Sequence, residues 1–212
     1  MDKDIHASWM QSTYAKAPMR TKTNKLMEAT MAVLQATPER QLKIVVLNKA
    51  LFYLDLMALR DFGNVITDQE YVALPQGPVV NEYKTVLIGA LTRSKLVEQL
   101  QLDGDKAKPI RVVKPLDRFE CLNASELRLA EKVGASFSTL TSMAVSAFSH
   151  ANPGWMMAHR NFVEGRPAPK INLRLALQQL CDDEDDAWLD APMDPVQMAD
   201  CEKARTATRP WE

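Results

Sequence analysis

Leu42-Lys43-Ile44-Val45-Val46-Leu47-Asn48-Lys49-Ala50-Leu51-Phe52-Tyr53-Leu54-Asp55-Leu56-Met57-Ala58-Leu59 is apolar at almost every position and carries no continuous polar stripe. A helix that is hydrophobic all round is a buried one, so residues 42–59 are read as the central helix of the fold. Its few polar residues, Asn48, Lys49, Tyr53 and Asp55, then stand out, because a charge buried without a partner costs several kcal/mol. Gly63-Asn64 breaks the segment.

Upstream, Leu26, Met27, Met31 and Leu34 recur near helical spacing and Pro38 closes the run, which predicts an amphipathic first helix over 25–35. Residues 1–20 show no periodicity and are read as a mobile N-terminal extension of a domain spanning 21–180. Downstream, Tyr71-Val72-Ala73-Leu74 reads as a short strand and Gln76-Gly77-Pro78-Val79 as a sharp corner. Gly77 supplies backbone freedom there, and Pro78 suits the first turn of a helix expected over 80–91. Leu96, Leu100, Leu102, Ile110 and Val112 occupy even positions around Asp103-Gly104-Asp105, the pattern of a β-hairpin with one face on the core.

Asn123, with Glu126 three positions on, forms a capping-box signature for the longest helix, whose apolar register runs from Leu127 through Phe148 to His150. Pro153 starts a shorter helix through Phe162, and residues 171–180 form the last. The fold class expected is α+β, mostly α: a bundle of five or six helices around a buried central helix, with a small β-hairpin. From Asp182 to Asp200 the chain is rich in Asp and contains no Lys or Arg, so 181–212 is read as an acidic, disordered C-terminal tail.

The composition is that of an ordinary globular protein, with 46% hydrophobic and 25% charged residues among 212. A net charge of −1 creates no global field toward nucleic acid or an anionic membrane. The first twenty residues lack a secretory apolar core, no run approaches the length of a membrane span, and Cys121, Cys181 and Cys201 are odd in number and widely spaced. A cytoplasmic protein with no membrane partner is expected.

The residues that carry chemistry are scattered. No two of the seven glycines lie within ten positions, which excludes the G-x-G-x-x-G and Walker-type phosphate loops. His6, His150 and His159 are far from forming a ligand motif, and neither C-x₂-C nor H-E-x-x-H occurs, so no metal or cofactor is expected. Ser149-His150 lacks a nucleophile elbow, and adjacent helical residues point in different directions. A binding protein is expected rather than an enzyme. Arg93, Lys95, Lys106, Lys108, Arg111, Lys114 and Arg118 gather in and around the hairpin. A helix followed by a basic hairpin would suit a winged-helix DNA-binding transcriptional regulator, with Lys106, Lys108, Arg111 and Lys114 as its contacts. A solvated hairpin edge guarded by lysines accounts for the same residues, and the near-zero net charge makes nucleic acid the less expected partner.

Four pieces taken together carry a resemblance. They are Leu47-Asn48-Lys49-Ala50-Leu51-Phe52-Tyr53-Leu54-Asp55, Ile66-Thr67, Tyr71-Val72-Ala73-Leu74-Pro75-Gln76-Gly77-Pro78-Val79, and Ser149-His150 with Trp155. In order and spacing, over about three quarters of the chain, they resemble the Panacea, or SocA-like antitoxin, domain. The family pattern favours Lys-Leu-Leu-Tyr in the buried helix, where this chain has Lys49-Ala50-Leu51-Phe52-Tyr53. Members are small intracellular proteins encoded beside toxins in bacteria and on phages or prophages, and they neutralise the toxin by direct contact. The resemblance therefore implies an antitoxin whose partner is a cognate toxin protein, or a phage-borne relative using the same fold for a different partner, with a homo-oligomer left open. Lys49, Tyr53, Asp55, Gly77, Pro78, His150 and Trp155 are its candidate partner-binding residues. They read either as the floor of a groove, with Trp155 an aromatic anchor, or as scaffolding that satisfies the buried charges and builds the corner.

Overall fold

The computed structural model describes residues 24–100 and 108–181. Asn24 opens α1 (Lys25–Gln35), its side chain accepting the Met27 N–H at 2.9 Å. A three-residue strand, β1 (Gln41–Lys43), leads directly into α2 (Ile44–Phe62). Every residue of α2 from Val46 to Ala58 is buried, Asn48, Lys49 and Asp55 included, as the all-round apolar pattern implies. Gly63, at φ 76°, ends the helix in the left-handed conformation and donates its N–H to Leu59 O. The helix begins two residues later than expected because Leu42 pairs in a sheet.

β2 (Tyr71–Leu74) and β3 (Gly77–Val80) form a hairpin turning at Pro75-Gln76, with Leu74 opposite Gly77 and Ala73 opposite Pro78. Gln76-Gly77-Pro78-Val79 is thus not a corner into a helix. Pro78 is tolerated in this strand because Ala73 opposite it turns its N–H outward, to Pro169 O at 2.9 Å, so the missing donor of Pro78 breaks no bond of the hairpin. The expected helix over 80–91 starts later for the same reason: Val79 and Val80 continue the strand, and Glu82 sits at φ 51° before the chain can coil. A π-helical turn, Lys84–Gly89, then runs into α3 (Ala90–Arg93).

β4 (Val97–Gln99) and β5 (Pro109–Val112) make the expected basic hairpin, whose connecting residues 101–107, including Lys106, lie outside the described residues. β1 adds to its free edge, giving a three-stranded antiparallel sheet in the order β1-β5-β4.

Asn123 and Glu126 close their capping box at the start of α4 (Ala124–Ser138). The expected single helix to His150 is two, because Thr139 and Leu140 interrupt it and the Thr141 hydroxyl caps α5 (Ser142–His150) by accepting the Ala144 N–H at 3.1 Å. Among the described elements α2, at 19 residues, is therefore the longest. α6 (Pro153–His159) ends short of Phe162, and α7 (Leu173–Ala176) and α8 (Gln178–Cys181) divide the last expected helix. The N-terminal extension lies outside the described residues, as does the acidic tail from 182 on, while Cys181, its expected first residue, closes α8. The chain is α+β and mostly α: α4 and α5 pack on α2, α1 lies on α4, and two small antiparallel sheets complete the core. No helix among the described residues is long and apolar enough to cross a membrane.

Candidate functional site

The Pro75-Gln76 turn is exposed, and four of the seven candidate residues converge behind it. Lys49 projects from α2 toward Gly77: a Cβ added at Gly77 would lie 2.8 Å from Lys49 Cε and 3.0 Å from its Nζ. The same atom would lie 2.6 Å from Ser149 Oγ on α5, so a glycine is required there by space as well as by its φ of 108°. His150 follows Ser149, with the Pro75 backbone and the Lys49 charge both acting on its ring. Trp155 on α6 reaches the turn from the other side, its Nε1 donating to Leu74 O at 3.2 Å.

The aromatic rings behind the turn form a rack. His150 stacks on Trp155 at 4.3 Å between centroids, Trp155 on His159 at 4.4 Å, and His159 on Phe162 at 5.5 Å. Asn152 holds the rack's angle: its Oδ1 caps α6 by accepting the Trp155 N–H, while its Nδ2 donates to Ala176 O at 2.9 Å and to Gln179 Oε1 at 2.8 Å. Burial pushes Lys49 down to about 7. Burial first, then the charges of Lys49 and His159, takes His150 down to about 4, against an upward pull from the Pro75 backbone. His159 is lowered by burial. The rack is therefore neutral near pH 7.

The other three candidates stand apart from the turn's underside. Tyr53 donates its hydroxyl to Gln179 Oε1 at 2.9 Å, and its ring lies 5.0 Å from that of Phe148. Asp55, two residues on, accepts the N–H groups of Ile66 and Thr67 at 2.8 and 2.9 Å, the Tyr71 hydroxyl at 2.8 Å, and the Thr67 hydroxyl. Burial raises the Asp55 carboxyl despite these four bonds, and burial likewise raises Tyr53 and Tyr71. Pro78 is buried within β3.

The basic hairpin is arranged differently. Arg111 spends its guanidinium on Glu98 across the hairpin, with Nε at 2.9 Å, while Lys114 is exposed and Lys108 half-buried. No cluster of three potential metal ligands occurs among the described residues.

Sequence reasoning did not place His159, Asn152 or Gln179 at this site, and it quoted Ser149 in the resemblance without making it a candidate. His159 lies four residues after Trp155 on the same helix face, a spacing that could have placed it in the stack. Asn152 before Pro153 carries a local cap signal. Gln179 offers none, since its role depends on a contact 126 residues away with Tyr53.

A family model described as antitoxin SocA-like, Panacea domain, matches residues 47–156, just over half of the chain. The chain belongs to this family. The Panacea match opens two residues before Lys49 and closes one after Trp155, so it encloses all seven candidates and the turn on which four of them meet. Comparison with the curated proteins and with the solved structures finds no match to this chain.

Proposed function

We propose that this Panacea protein is a cytoplasmic antitoxin, of bacterial, phage or prophage origin, that neutralises a cognate toxin by binding it directly, with the Pro75-Gln76 turn and the α6 rack as the contact face. The observation that carries this reading is the surface of α6. Met156 and Met157 are 43% and 52% exposed on the helix whose buried face is Trp155, and Val163 beyond it is 47% exposed. Flexible thioethers over a rigid aromatic base make an adaptable apolar patch, the kind of surface that accepts a partner. Lys49, Gly77, His150 and Trp155 form its floor, whereas Tyr53, Asp55 and Pro78 hold the floor in place.

The test is a pull-down of the product of the adjacent open reading frame by Met157→Asp and Trp155→Ala proteins. Met157→Asp is expected to fold normally and to lose the partner. A folded Met157→Asp protein that retains full binding would move the interface elsewhere.

A second reading is favoured by one observation. The succession α1, β1, α2, α3, β4, β5 with strand order β1-β5-β4 is the arrangement of a winged-helix domain, interrupted by the β2–β3 hairpin. In that reading Lys106, Lys108, Arg111 and Lys114 would meet phosphates, and duplex binding would fall steeply with salt. The Arg111–Glu98 pair weighs against it.

A further inference from the structure

Among the described residues Lys49 is the only buried lysine or arginine, and its Nζ has no hydrogen-bond partner there. An ammonium in that position is an anomaly, because a buried cation ordinarily survives only with a counter-charge. The fold has three buried carboxylates among its described residues, and each is engaged elsewhere. Glu28 Oε2 accepts the Cys121 and Leu122 N–H groups, Glu126 takes Lys25 and the Asn123 N–H, and Asp55 is filled by Ile66, Thr67 and Tyr71. Asn48, beside Lys49 on α2, is likewise engaged, by Ile44 O and the Val80 N–H. Lys49 is therefore not half of an internal pair.

Its position is equally specific. The amine lies directly beneath Gly77, next to an exposed two-residue turn, at a point where any side chain on residue 77 would collide with it. Ser149 Oγ adjoins it and is committed only through its proton, donated to Ser146 O at 2.8 Å. His150 Nε2, close enough to be influenced by the Lys49 charge, is also buried without a partner. Two polar groups, the Lys49 amine from α2 and the Ser149 hydroxyl from α5, thus meet under a glycine, and the amine has no counter-charge among the described residues.

We propose that Lys49 is the receptor for a carboxylate side chain, Asp or Glu, that the partner protein inserts beside the Pro75-Gln76 turn to complete the ion pair the free protein lacks. The inference rests on the direct-binding reading above and adds the chemistry of the partner's key residue. It also supplies specificity: a partner without the acid forgoes the ion pair and binds more weakly by that difference.

The experiment separates the two readings by using acetate as the probe. Full-length protein carrying ¹³C-labelled lysine is titrated by NMR in sodium chloride and in sodium acetate of equal ionic strength, with Lys49 assigned by the resonance lost in Lys49→Met. Lys49 is expected to titrate below the other lysines in chloride and to move upward in acetate while the others stay fixed. An identical Lys49 titration in both salts overturns the carboxylate site, as does a Lys49 that titrates with the surface lysines. Against the toxin itself, Lys49→Met is expected to weaken binding by about a hundredfold. A neighbouring gene product that does not bind even the wild-type protein would sink the antitoxin reading and leave the acetate result standing.

Discussion

Asp55 accepts four hydrogen bonds from the 66–67 loop and β2, and no solvent reaches it. Asp55→Ala strands those donors, so it should cost about 3 kcal/mol or more in urea unfolding, whereas an exposed acid such as Glu70 should cost little. Lys49 behaves in the opposite way. Its amine titrates at about 7 in the folded protein and at 10.5 in the unfolded chain, so between those values the unfolded chain holds a proton the folded one lacks, and stability rises with pH. Below that window the buried charge costs about 5 kcal/mol relative to a neutral group. Lys49→Met should therefore be more stable than wild type, with the gap widest below pH 7 and closing as pH rises, as unfolding curves on either side of the window would show. His150 adds a second window: lowered from 6.5 to about 4, it stays neutral in the fold and is protonated in the unfolded chain, so stability falls as pH drops through that range. His150→Phe, which keeps a ring in the stack, should flatten this decline in the same measurements. The anomaly at Lys49 was legible in the sequence because a lysine inside an otherwise apolar helix needs no alignment to notice. What surrounds it was not, since Gly77 and Ser149 reach it from other parts of the chain.

Between elements, α1 comes close to α4 at Gly134, where an added Cβ would fall inside contact distance of the Val33 carbonyl oxygen. Backbone cannot give way as a side chain tip can, so Gly134→Ala should cost about 2 kcal/mol or more, read as a lowered midpoint in thermal unfolding. Gly63→Ala would meet no neighbouring atom and tests only the left-handed φ. The elements set by short-range signals were legible. The apolar spacing of Leu26, Met27, Met31 and Leu34, the capping box at Asn123 and the all-apolar α2 announced their helices through signals a few residues apart. β1 was not, because three residues with a single buried side chain carry no pattern, and its partner β5 lies far along the chain. Val79 and Val80 were misjudged because Gly77-Pro78 suits a helix start locally, while the hairpin that claims them is fixed by pairing with β2. The break before Thr141 was hidden by Leu140 and Ala144, which continue the apolar register across it.

At the level of the whole molecule, α2 anchors both halves of the candidate site: α5 and the β2–β3 hairpin pack on it, and α6 closes over the hairpin from outside. The floor is built from buried groups and the proposed contact surface from the exposed Met156 and Met157, so the two can be varied separately. Trp155→Ala should remove a stacked ring and lower both stability and partner binding, whereas Met157→Asp should lower binding alone. The most direct test of the account is co-expression of the chain with the product of the adjacent open reading frame, scoring growth and recovering the complex. Growth rescued by the wild-type protein, a stoichiometric complex, and loss of both with Met157→Asp is the result predicted. A neighbouring product that is harmless alone and does not bind this chain would contradict it.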